Sequence, residues 1–256
     1  MRNLKGYLAI ILLTTLSVDA MAWGMSGHRI VASLAQDMLS CKANKKINKV
    51  LGGNTPTMVA NWGDFIKSDP KINHFDDWHY TNLDSNLTRS QFDSAIMATT
   101  SGQCVYQILS LTEELKKNPK DAQKLKLLIH IVGDMCQPMH MGRESDRGGN
   151  DIRITWFGRK MNLHSLWDTH IIGYNELSYT EYAEDIKRMF PRKKQKFSKE
   201  LVVETAWQTY QITEKLYKTS EKTSDGYRYI YDYQKTCEER LSTGGMLLAT
   251  ILDYIY

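Results

Sequence analysis

The sequence predicts an all-α protein, a single compact helical domain with one small β-hairpin near residues 151–163. Three observations predict it. Apolar residues recur at three- and four-residue intervals along most of the chain, the repeat of one helix face. Those runs stop at proline or glycine, where helices end. Alternation of apolar residues, the mark of a half-buried strand, occurs in one stretch only.

The first helix covers His28 to Leu39, with Ile30, Val31, Leu34, Ala35 and Met38 on one face. A shorter one covers Thr57 to Ile66, with Pro56 suited to the helix start. Gln103 to Lys117 is ended by Asn118-Pro119, and Ala122 to Met135 by Pro138. In Asp151 to Leu163 the residues Ile152, Ile154 and Trp156 alternate and Gly158 turns the chain, which predicts the hairpin. His164 to Ile172 is a further helix, stopped by Gly173. Two long amphipathic stretches follow, Lys199 to Lys218 and Tyr233 to Tyr254. The run Arg192-Lys193-Lys194-Gln195-Lys196 ahead of them reads as a solvated loop between helices rather than a nucleic-acid patch.

Residues 1–22 read as a secretory signal peptide. Arg2 and Lys5 form a basic start, Leu8 to Leu16 an apolar stretch, and Ala20-Met21-Ala22 a small-x-small cleavage site. The apolar stretch is too short for a bilayer, which takes about 20 residues. Processing would leave residues 23–256 as one domain in a secreted or periplasmic protein. Lys+Arg number 33 against Asp+Glu 29, a balance that permits a polyanionic partner without arguing for one. Export would make disulfides possible among Cys41, Cys104, Cys136 and Cys237, with no pairing favoured. No CxxC pair occurs, so a thiolate metal site is not expected.

Five of the seven histidines sit in a pattern with aspartates. His130 and Asp134 are four apart on a predicted helix and share a face. Pro138 breaks that helix and lets His140 turn back. His164 and Asp168 repeat the spacing. Upstream, Asp64 offers a carboxylate near a helix end and His79 an imidazole in a loop. His28 lies five residues after Trp23, whose amine and carbonyl would chelate a cation once cleavage freed them. Imidazole nitrogen with carboxylate oxygen suits zinc.

The ordered segments WGMSGHRIVA, WGDFIK, WHY, HIVGDMCQPMH, DRGGNDI and NLHSLWD resemble the zinc-dependent S1/P1 type nucleases and 3′-nucleotidases. They run from Trp23 to Asp168; beyond that the likeness is only a helical tail. The resemblance implies an all-α fold holding three zinc ions. One would take Asp64, His79, His130 and Asp134; a second His140, His164 and Asp168; the third Trp23, His28 and Asp134. It further implies phosphodiester hydrolysis of single-stranded DNA and RNA, and of 3′-nucleotides, to 5′-phosphates. Nucleic acid and nucleotides would be the partners, with no stable membrane association and no protein partner.

On that reading the metals neutralise an anionic phosphodiester and activate water. Asp64 orients the water and Lys67 stabilises charge in the transition state. Asn150, Tyr80 and Asn82 are candidates for substrate binding; Asn150 reads equally as a turn residue before the hairpin. Two positions depart from the family pattern. Cys136 stands where histidine is common. Lys67 stands where arginine is common, keeping the charge but not the planar grip on phosphate. The rival readings are a zinc phospholipase C and a non-catalytic exported zinc-binding protein.

Overall fold

The computed structural model describes residues 23–69 and 73–256; the signal segment lies outside the described residues. Helix α1 (Met25–Met38) buries Ile30, Val31, Leu34 and Ala35, the face its spacing marks. Then come α2 (Cys41–Val50), α3 (Pro56–Val59) and α4 (Trp62–Phe65). The chain continues through α5 (Arg89–Ala98), α6 (Cys104–Lys117) and α7 (Ala122–Cys136). Gln137 ends α7, and a 3-10 turn over Pro138–Met141 swings the chain back, as Pro138 predicts.

Strands β1 (Arg153–Trp156) and β2 (Arg159–Asn162) form the expected antiparallel hairpin, with Arg153 opposite Asn162 and Trp156 opposite Arg159. Phe157 and Gly158 turn it with φ of 44° and 75°, the left-handed pair that two-residue hairpin turns use. α8 (Leu163–Ser165) runs through a π-helical turn, Leu166–His170, into α9 (Ile171–Gly173). The chain ends with α10 (Tyr179–Met189), α11 (Lys199–Lys218) and α12 (Gly226–Ile255). No helix of the described residues is long and apolar enough to cross a membrane.

α7 is the centre of the molecule. It packs against α1, α6 and α12, and every residue from Leu127 to Cys136 is buried. A helix enclosed on all sides is ordinarily apolar throughout. This one carries His130 and Asp134 into the interior, both 0% exposed.

The structure corrects the sequence reading in two respects. The helix expected over 57–66 is two short ones, because the chain turns after Ala60 and Asn61, with φ −93° and ψ 6°, leaves the helical path. The freed Ala60 carbonyl accepts from His130 Nδ1 at 2.7 Å, and Asn61 Nδ2 donates to the Met25 carbonyl. Helices α2, α5 and α10 go beyond the periodicity reading. α5 and α10 each start with a capping box, Thr88 with Gln91 and Ser178 with Glu181. α2 buries little beyond Ala43 and Ile47. All four cysteines are free in this structure, Cys41 exposed and the other three buried.

Candidate metal centre

Six segments deliver the side chains. α1 brings His28, α4 Asp64, the loop before Thr81 His79, and α7 His130 and Asp134. The 3-10 turn brings His140, and the stretch from α8 through the π-turn brings His164 and Asp168. Three groups of ligand atoms result, each with its members within 4.8 Å of one another: His28, His130 and Asp134; Asp64, His79 and His130; His140, His164 and Asp168.

Asp134 joins the first two groups. Its Oδ1 lies 3.2 Å from His28 Nε2, while its Oδ2 lies 2.9 Å from His79 Nδ1 and 3.4 Å from His130 Nε2. Asp64 Oδ1 is 3.6 Å from His130 Nε2, and Asp168 Oδ2 is 3.2 Å from His164 Nε2. Zinc bonds to nitrogen and oxygen are about 2.0–2.1 Å long, so neighbouring ligands of a tetrahedral site lie roughly 3.3 Å apart. The observed spacings bracket that value.

The hydrogen-bond pattern supports the same reading. His130 Nδ1, His140 Nδ1 and His164 Nδ1 lie 2.7, 2.6 and 2.7 Å from the carbonyls of Ala60, His79 and Gly148. A carbonyl only accepts, so each of these nitrogens carries a proton and Nε2 is the atom left to face the cluster. The inward Nε2 atoms of His28, His140 and His164, and Asp134 Oδ1, are buried without a hydrogen bond. Buried polar atoms are rarely left so. Outer nitrogens tied to backbone with inner ones free is the arrangement that fixes imidazoles as metal ligands. The residues present therefore fit a set of divalent cations.

The electrostatics agree. Burial alone would raise Asp134, but the imidazoles of His130 and His28 outweigh it and hold the carboxyl well below its usual range. Asp64 is lowered against its own burial by His130, His28 and Lys67. Burial lowers His28 and His79 and takes His140 to about 4, so these rings are neutral and keep a lone pair at pH 7. Burial would lower His130 and His164 too; Asp134 and Asp64 raise the one, Asp168 the other.

The remaining residues singled out from sequence sit around this cluster. Lys67 Nζ is 2.9 Å from Asp64 Oδ1, and its side chain is 30% exposed, which places a cation at the rim. Tyr80 is exposed beside His79. Asn82 lines a groove of about 840 Å³ with Leu83, Ser90 and Arg143. Asn150 Nδ2 donates to the Arg147 carbonyl at 2.8 Å, the turn role that was its alternative reading. Trp23 is fully buried, and the N–H that follows it, of Gly24, donates to the Asp168 carbonyl at 2.7 Å. Cys136 belongs to none of the ligand groups; its thiol lies 3.8 Å from Arg240 Nη2 instead.

Three positioning residues go beyond the sequence reading. Gln137 Nε2 donates to Asp168 Oδ1 at 2.5 Å and holds that carboxylate in place. Gln137 lies inside HIVGDMCQPMH, so the motif carried the signal. Gly133 and Gly63 act by their lack of a side chain. A Cβ on Gly133 would stand 2.8 Å from His28 Nδ1, and one on Gly63 2.4 Å from His130 Cδ2. Gly63→Ala must therefore displace His130. Misplacement by about 1 Å costs on the order of a hundredfold in rate. The expected result is that loss together with lower metal content, with circular dichroism unchanged. Unaltered activity and metal content would refute the contact.

Fold and site together define a class: a mostly helical protein built around a buried His/Asp cluster able to hold metal ions. The S1/P1 nuclease family model matches residues 23–256, and the chain belongs to that family. It is 28% identical to nuclease S1 of Aspergillus oryzae over 91% of each chain. It is 26% identical to endonuclease 2 of Arabidopsis thaliana over the whole of both. Nuclease P1 of Penicillium citrinum is 30% identical over 62% of this chain and 63% of its own. These relationships make the chain a phosphodiesterase acting on nucleic acid.

Proposed function

We propose that the protein is an exported endonuclease that uses three zinc ions to cleave single-stranded DNA and RNA, and 3′-nucleotides, leaving 5′-phosphates. The observation that carries this reading is Asp134, whose two oxygens face two separate sets of imidazoles inside the core. Asp64, His79, His130 and Asp134 would hold one ion, His140, His164 and Asp168 a second, and Trp23, His28 and Asp134 a third. Zinc bound there would neutralise the phosphodiester and bring the pKa of a water to about 7.

The chain's own residues do the rest. Asp64, kept ionised by its neighbours, accepts a hydrogen bond from the attacking water and orients it. Lys67 Nζ, exposed at the rim, counters the charge that builds on phosphate oxygen. The ring of Tyr80 offers a stacking face for a base, and the groove that begins at Asn82 gives the base a place to lie. An unpaired base reaches such a groove without the cost of leaving a duplex stack, which favours single strands.

Processing before Trp23 is part of the proposal. The family match begins at that residue, and only cleavage there makes its amine a ligand. The direct test is metal analysis of the processed protein beside assays on single-stranded DNA, RNA, a 3′-nucleotide and phosphatidylcholine. The expected result is about three zinc per chain, hydrolysis of the nucleic acids and nucleotide, and loss of that activity on chelation. Near-zero zinc, or activity on the lipid alone, would overturn it.

A further inference from the structure

Arg240 is 4% exposed, and its guanidinium is charged at every accessible pH. A buried charge is expensive unless an opposite charge faces it. Among the described residues none does. Its Nε has no hydrogen-bond partner, and its contact is the 3.8 Å approach of Nη2 to Cys136 Sγ.

The guanidinium lines a cavity of about 320 Å³ between α11 and α12. Arg192, from the basic run after α10, and Lys215, from α11, line it as well, with only Glu239 opposing them. Neither Arg192 nor Lys215 forms an ion pair among the described residues, although Lys215 lies over the Tyr233 ring at 5.8 Å. The amides of Gln208 and Gln211 add further donors at the wall. Three cations against one carboxylate, one of the cations buried without an ion-pair partner among the described residues, make a wall suited to an anion. We propose that this cavity binds a phosphate-type oxyanion, which the planar Arg240 fork would grip at two points. Its volume lies at the small end of ligand pockets, enough for inorganic phosphate or a mononucleotide.

The site is separate from the metal cluster, none of whose residues lines it. Cys136 is two residues beyond Asp134, about 200° further round α7, so its thiol faces away from the imidazoles. The basic run is thereby a solvated loop with one member, Arg192, recruited to a pocket.

The test is a calorimetric titration of the zinc-loaded protein with inorganic phosphate, repeated after chelation and repeated with AMP. The metal cluster supplies one phosphate site that chelation removes; the proposed site survives chelation, so the outcome does not depend on zinc. Arg240→Met, and separately Arg192→Ala with Lys215→Ala, should weaken the surviving site at least about tenfold. In phosphate-free buffer Arg240→Met should melt no lower than wild type, because it removes an unpaired buried cation. Added phosphate should then raise the wild-type melting temperature more than the variant's. AMP binding no tighter than phosphate means that the oxyanion alone is recognised; tighter binding means a nucleotide. No chelation-resistant site in the wild type, or an unchanged one in the variant lacking the two exposed cations, would overturn the proposal.

Discussion

Asp134→Asn should abolish hydrolysis and empty at least one of the two metal positions that the carboxylate serves. The carboxylate has one oxygen 3.2 Å from His28 Nε2 and the other 2.9 Å from His79 Nδ1. An amide of the same shape keeps one acceptor and turns the other side into a donor. Whichever way it lies, one set of imidazoles then faces N–H groups and cannot share a cation with it. Changes to groups behind ligands already cost about 10–100-fold in metal affinity or activity; loss of a shared ligand should exceed that range. Zinc per chain should fall by at least one, and single-stranded DNA hydrolysis should drop below a hundredth of wild type. Full activity in this variant would contradict the bridging role.

The second large effect concerns the chain terminus. Protein retaining residues before Trp23 has an amide nitrogen there, which has no lone pair to offer a metal. It should bind fewer zinc ions than the processed form and hydrolyse single-stranded DNA at least about tenfold more slowly. Proteolytic removal of the extension should restore both. Gly24 N is bonded to the Asp168 carbonyl, so the chain beside Trp23 is pinned against a candidate ligand. Equal zinc content and rate in the two forms would remove Trp23 from the ligand set.

Much of the site could be read directly from the sequence because its strongest signals are local. His130 with Asp134, and His164 with Asp168, share a helix face by spacing alone, and both pairs meet as expected at 3.4 and 3.2 Å. The turn at Pro138 returning His140 is likewise a local consequence of proline. The helices that escaped periodicity did so for physical reasons. α2 and α10 carry short apolar stripes, Ala43 with Ile47 and Tyr182 with Ala183 and Ile186, in otherwise polar segments, and α5 announces itself by its cap more than by apolar spacing. The break at Ala60 was hidden because it serves a partner 70 residues away, the His130 ring.

The sequence by itself determined the helical class, the hairpin and the two His/Asp pairs at four-residue spacing, since each rests on contacts within a few residues. Tertiary structure alone decided which oxygen of Asp134 faces which ring. It also decided that Gly63 and Gly133 must stay bare beside His130 and His28, and that Cys136 turns to Arg240 instead of to the cluster. Those outcomes depend on how α1, α4, α7 and α12 pack against one another. Spacing along one segment fixes the direction of its own side chains; it carries no information about which distant segment will stand opposite them.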